Sequence, residues 1–166
     1  MSRRHFFAQQ PVYRHRPVHA DPVSLAIVRA SLIMPAEVAT VMAPILKSHV
    51  ALREGLGTHF HWVNLVTAVE IGLALEGIGA LKGSRATLKC AEMALKMIYD
   101  RAMRDDGTWV PVTLYPGELS ALLSLVETFP QQLSKVTHGE YKRAEARASQ
   151  GVVAAGGKVY EWRAKQ

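Results

Sequence analysis

The chain has 166 residues, of which 49% are apolar and 20% charged, which excludes a disordered tail and fits one globular domain able to bury a core without staples. Cys90 is the single cysteine, so no intrachain disulfide forms, and no signal-like apolar run follows Arg3 and Arg4, which points to a reducing cytoplasm. The net charge of +6 sits at the ends: residues 1–20 hold four arginines and no acid, residues 21–137 ten basic and eleven acidic side chains, residues 138–166 six and three.

Residues 1–20 mix Arg3, Arg4, Arg14 and Arg16 with three histidines and with Phe6, Phe7 and Tyr13. Pro11 and Pro17 break any helix and no period is present, so a flexible or extended basic arm is expected. Asp21 ahead of Pro22 is a helix start, and the short helix to about Ser31 is expected to bury Leu25, Ile27 and Val28. Pro35 opens a second helix with Glu37 in its first turn. Pro44 should kink or divide it, and Gly55 and Gly57 close it.

Thr58 then caps the most apolar stretch of the chain, which runs from His59 to about Gly79. Its apolar residues, from Phe60 and Trp62 to Leu75 and Ile78, go most of the way round a helix, which places it in the middle of a bundle or at a subunit interface. A membrane span has the right length but is disfavoured by Asn64, Glu70 and Glu76. Ser84 starts a fourth helix in which Leu88, Ala91, Leu95, Ile98 and Ala102 form one buried stripe, with Arg85, Lys89, Glu92, Lys96 and Asp100 opposite.

Asp106-Gly107 is a turn, and Thr108 to Leu114 is β-rich but interrupted by Pro111, so at most an edge strand or extended connector. From Pro116 a helix with Leu119, Leu122, Leu123, Leu125 and Val126 inward stops at Phe129-Pro130, with a short helical turn after it. Thr137 and Glu140 have capping-box spacing and open a helix to about Ala155. Gly156-Gly157 ends it, and residues 158–163 form a short strand or packed tail.

The sequence therefore predicts an all-α protein: a compact bundle of five or six helices around the 59–79 helix, with a basic arm over 1–20, a helical domain over 21–155 and a short extension over 156–166. Excess apolar surface on the central helix favours a homodimer.

Chemistry is sparse. His59 and His61 lie two apart and point away from each other on a helix, so they join His49 around an ion only if the chain near Thr58 is not helical; no metal or cofactor is expected. Cys90 lies beside the buried stripe and reads as a small core thiol. Glu70, at the centre of the most apolar helix, must be paired, reach an edge or do chemical work, and a salt bridge to Arg53, Lys89 or Arg101 is expected, while Glu76 should face water. No phosphate loop is present, and a helix-turn-helix across Gly55 fails because His61 and Asn64 fall where apolar anchors belong.

Three stretches, Ala51-Leu52-Arg53-Glu54-Gly55, Ala94 to Met103 (ALKMIYDRAM) and Trp109 to Leu119 (WVPVTLYPGEL), carry a resemblance to a loosely defined group of small helical proteins of proteobacterial prophages and plasmids. The resemblance covers roughly residues 45–145 and implies a mobile-element setting without an activity or a site. The expected function is a non-enzymatic accessory protein with no catalytic residues, binding nucleic acid through Arg3, Arg4, Arg14 and Arg16 with Lys142, Arg143 and Arg147. The alternative is an inhibitor that binds a host protein, such as a defence or transcription component, through a helical face. An enzyme using Glu70 or the His49, His59 and His61 group comes third.

Overall fold

The computed structural model describes residues 21–154. The expected arm over 1–20, with its four arginines, and the extension after residue 155 lie outside them. Within them the chain forms an all-α bundle of six helices: α1 (Pro22–Ala30), α2 (Pro35–Arg53), α3 (His59–Gly77), α4 (Arg85–Ala102), α5 (Pro116–Leu133) and α6 (His138–Ala154). No helix of this set is long and apolar enough to cross a membrane.

The centre is α3, which packs against α2, α4, α5 and α6. It buries Leu65, Ala68, Val69, Ile71, Ala74 and Leu75 against Leu52 of α2, Leu88, Leu95 and Ile98 of α4, and Leu122, Leu125 and Phe129 of α5. Phe60 and Val63 are left exposed, so the apolar belt of α3 is wider than its covered surface.

Helix ends follow local chemistry. The Asp21 carboxylate accepts from the Ser24 amide, Glu37 and Glu118 reach back to the amides of Met34 and Tyr115, and Glu140 and Thr137 exchange both bonds of a capping box. At α3 a histidine takes the glutamate's role: His61 Nδ1 accepts from the Thr58 amide at 3.1 Å.

Of the two outcomes expected at Pro44, division does not occur: α2 continues through it, because the proline lies on the exposed side and the carbonyl it orphans, that of exposed Thr40, can be solvated. Three expectations about elements are corrected. Helix α5 runs on past Pro130 to Leu133, since Phe129, Gln132 and Leu133 share a buried face whose packing outweighs one lost hydrogen bond. Leu123 on that helix is exposed.

The largest correction concerns α1, where Leu25, Ile27 and Val28 are 41%, 65% and 55% exposed instead of buried. That helix touches α6 at Gly139, whose missing side chain lets the Arg29 carbonyl approach, and at its C-cap Ser31, whose carbonyl accepts from the His138 amide; the linkers beside them are joined by a bond from the Ile33 amide to the Val136 carbonyl. The segment after Gly107 forms a single bridge, Met103 to Trp109, and is otherwise an extended connector.

Candidate functional site

Two surfaces concentrate polar chemistry, and they have opposite character. The first is the groove between α3 and α4. At its end His59, Trp62, Tyr99 and Trp109 form an aromatic cluster with ring centroids 4.8–6.4 Å apart. Both indole N–H groups are satisfied, Trp62 donating to the Leu95 carbonyl and Trp109 to that of Gly57, each at 2.8 Å. Gly57 is required there: a Cβ would fall inside the Leu52 side chain.

Beside the cluster opens a cleft of about 370 Å³ with Val66, Val69 and Leu95 in its wall and Glu70, Glu92, Lys96 and Asp100 around it. Lys96 pairs with Asp100 at 2.7 Å and Lys89 with Glu92. The ion pair expected for Glu70 is not formed among the described residues, because Lys89 is taken by Glu92, Arg53 by Glu54 and Arg101 by Glu118. Burial pushes the Glu70 carboxyl above its ordinary range and the Glu92 carboxylate pushes it the same way, with Lys89 acting against both. An aromatic, acidic cleft suits a cationic or apolar group and repels phosphate.

The second surface lies at the other end of α3. Here α3 hands over to α4 through a turn carrying Lys82, and Lys135 follows the end of α5. Lys82, Ser84, Thr128, Gln131, Gln132 and Lys135 line a cavity of about 60 Å³. Gln132 is only 3% exposed, and neither Nε2 nor Oε1 has a hydrogen-bond partner among the described residues. Gly72 of α3 makes room for this amide, since a Cβ there would stand 2.8 Å from Oε1. An orphaned buried amide costs roughly 1–3 kcal/mol, so a glutamine at this buried position needs a reason.

Of the expected nucleic-acid-binding residues, Lys142, Arg143 and Arg147 lie exposed on α6. The Arg147 guanidinium lies against Gly77 at the end of α3, five residues before Lys82. Lys142 is engaged by Glu145 at 2.6 Å. Lys82, Lys135 and Gln132 escaped the sequence reading: the two lysines are 53 residues apart in the chain, and only the bundle brings them to one cavity.

The remaining candidates disperse. His49 is buried in α2, where burial and then Arg53 hold its imidazole below the ordinary histidine range; His61 caps α3 and His59 stacks on Trp62. Cys90, expected in the core, is exposed, because the buried stripe of α4 turns away from it through Leu88 and Ala91. Glu76, expected in water, is half-buried and its carboxylate accepts the Ser84 amide at the start of α4. The chain matches no family model, no curated protein and no solved structure.

Proposed function

We propose that the protein is a non-enzymatic accessory protein that binds nucleic acid through basic terminal segments carried on a neutral helical domain. One observation carries this reading. Residues 21–154 hold thirteen basic and thirteen acidic side chains, so the whole excess of +6 lies before and after them. A chain that keeps its folded domain neutral and places its unbalanced charge in terminal segments is built for contacts with a polyanion. In residues 1–20 Phe6, Phe7 and Tyr13 add faces on which bases can stack between arginine–phosphate contacts. The mobile-element resemblance agrees with such a role.

The test is fluorescence anisotropy of the full chain with single-stranded and duplex oligonucleotides across a salt series. The logarithm of the affinity should fall linearly with that of the salt concentration, by about 0.7–0.9 for each phosphate neutralised. Reversing Arg3, Arg4, Arg14 and Arg16 to glutamate should abolish binding. Unchanged affinity in that variant rejects the reading.

A second reading, an inhibitor that binds a host protein through a helical face, is favoured by the aromatic, acidic α3–α4 cleft, which fits a basic protein segment and not a nucleic acid. It requires a stoichiometric complex that survives nuclease treatment and is lost when Glu70 and Tyr99 are changed.

A further inference from the structure

We infer that the cleft between α3 and α4 is the docking site of this chain's own basic arm, an arginine of residues 1–20 meeting Glu70 beside the rings of Trp62 and Tyr99. The docking stands on the cleft and the sequence. Its consequence, competition with nucleic acid, rests on the function proposed above.

The cleft has the chemistry that holds an arginine. Its volume is about 370 Å³, and Glu70, Glu92 and Asp100 line it against the single ammonium of Lys96. Asp100 is held by Lys96 at 2.7 Å and Glu92 by Lys89, both at the exposed rim. Glu70 is half-buried and has no cationic partner among the described residues, so the cleft has one carboxylate to offer. In the same wall stand the rings of Trp62 and Tyr99, with centroids 4.8 Å apart, and the apolar Val66, Val69 and Leu95. A guanidinium suits this combination: its edge pairs with a carboxylate, its flat face stacks on aromatic rings, and its methylene stem covers apolar surface. A lysine ammonium, more strongly hydrated and without a flat face, suits it less.

Three observations make the arm the occupant. The first is charge. Residues 1–20 carry Arg3, Arg4, Arg14 and Arg16 and no acid, so they complement this cleft and are repelled by the other cavity, which Lys82 and Lys135 flank. The second is residue type. All four cations are arginines and none is lysine, and Phe6, Phe7 and Tyr13 stand beside them in the chain to meet the apolar wall. The third is length. A segment of that size spans up to roughly 66–72 Å, whereas a domain of this size has a radius of gyration of roughly 14 Å, so the arm reaches the cleft from its attachment at Asp21. The tether also presents the arginines at an effective concentration of about a millimolar, which a free partner would have to match.

An arginine seated on Glu70 cannot neutralise a phosphate, and the carboxylates of the cleft keep a phosphate from following it in. Docking therefore holds part of the arm back from nucleic acid, and a polyanion must draw it out.

The test uses the full chain, labelled with ¹⁵N and carrying a nitroxide at Gln9→Cys, between the two arginine pairs, with Cys90→Ser to remove the exposed native thiol. Paramagnetic broadening is expected at the Trp62 indole and at the Glu70 and Tyr99 amides, and not at the Gln132 and Lys135 amides at the other end of α3. Glu70→Gln, which keeps the shape of the side chain, should relieve most of it, and Glu70→Lys should abolish it. An oligonucleotide should relieve it in the parent chain. Mixing nitroxide-bearing ¹⁴N chain with unlabelled ¹⁵N chain should show none.

In anisotropy titrations Glu70→Gln should bind the oligonucleotide about two- to fivefold more tightly than the parent at low salt, because the docked fraction is released, and the two should converge at high salt. Glu127→Gln, the same change of charge at an exposed position of α5, should stay close to the parent value. Broadening spread evenly over the bundle, unmoved by Glu70→Lys, or present in the mixed sample overturns the docking, and salt-dependent oligonucleotide binding by that protein would leave the nucleic-acid reading intact. Broadening confined to the cleft in a chain that binds no oligonucleotide sustains the docking and rejects the nucleic-acid reading.

Discussion

Arg101 and Glu118 form the strongest polar link of the domain. The guanidinium grips the carboxylate with both terminal nitrogens at 2.6 and 2.8 Å and lies 4.3 Å from the centre of the Tyr115 ring, while Glu118 also accepts from the Tyr115 amide. Burial pushes the Glu118 carboxyl up, but the bonds from Arg101 and Tyr115 outweigh it and hold the group below the ordinary carboxylate range. With a depressed folded value, the contribution is present above the unfolded value near 4.3 and is lost as the pH falls through the folded one. Arg101→Ala strands a carboxylate that is 3% exposed and should cost about 3 kcal/mol, the lower end for a buried pair because Arg101 still meets solvent. That corresponds to a Tm lower by roughly 6–12 °C at pH 7. Thermal melts should show the loss shrinking below about pH 4, and Arg101→Met with Glu118→Gln should recover part of it. A full loss that persists at low pH would mean that packing, not charge, carries the link. From sequence, Arg101 is legible as a cation near a core and as one of three candidate partners for Glu70, and nothing in the local pattern shows which carboxylate the α4–α5 contact brings within reach.

At the scale of elements, α1 is the least anchored part of the bundle. The carbonyl of its C-cap Ser31 accepts from the His138 amide and faces Nδ1 of the His138 ring, whose Nε2 lies 3.1 Å from the Glu37 carboxylate of α2, and just after α1 the Ile33 amide donates to the Val136 carbonyl that precedes α6. The Glu37 hydrogen bond, and then that of Ser31, raise the His138 pKa, and Glu37 is correspondingly lowered. A raised histidine stabilises fully below its unfolded value near 6.5, and the contribution fades as the pH rises through the folded value. Titrating His138 by NMR should therefore give a midpoint above 6.5 that returns toward it in Glu37→Gln. Protection factors of the Ile33 and His138 amides should fall as the pH passes that midpoint, with the core of α3 unaffected. An unshifted midpoint would refute the clasp. The helices themselves were legible: α2, α3, α4 and α6 begin within a residue of the positions that Pro35, Thr58, Ser84 and Thr137 mark. What was not legible is which side of a short apolar helix is covered. Leu25, Ile27 and Val28 have the composition of a core helix, and only the packing of α1 against α6 decides their exposure.

For the molecule as a whole, stability and charge reside in different parts. The α3 helix supplies the centre of the core, and because it touches four other helices its side chains report on all of them. Leu75→Ala removes a fully buried side chain and should cost about 2–5 kcal/mol, or roughly 5–15 °C in Tm, with the amides of α2 to α6 losing protection together. The unbalanced positive charge lies in residues 1–20 and 155–166, outside a helical domain whose own charges cancel. Measured well below its lowered Tm, the Leu75→Ala protein should therefore bind an oligonucleotide with the affinity and salt slope of the parent chain. On this reading the four-arginine reversal should do the opposite, abolishing binding while the bundle melts as in the parent chain. If Leu75→Ala instead lowered the affinity at a temperature where the bundle is intact, the core and the polyanion contacts would be coupled. The division between a neutral carrier and charged ends would then be wrong.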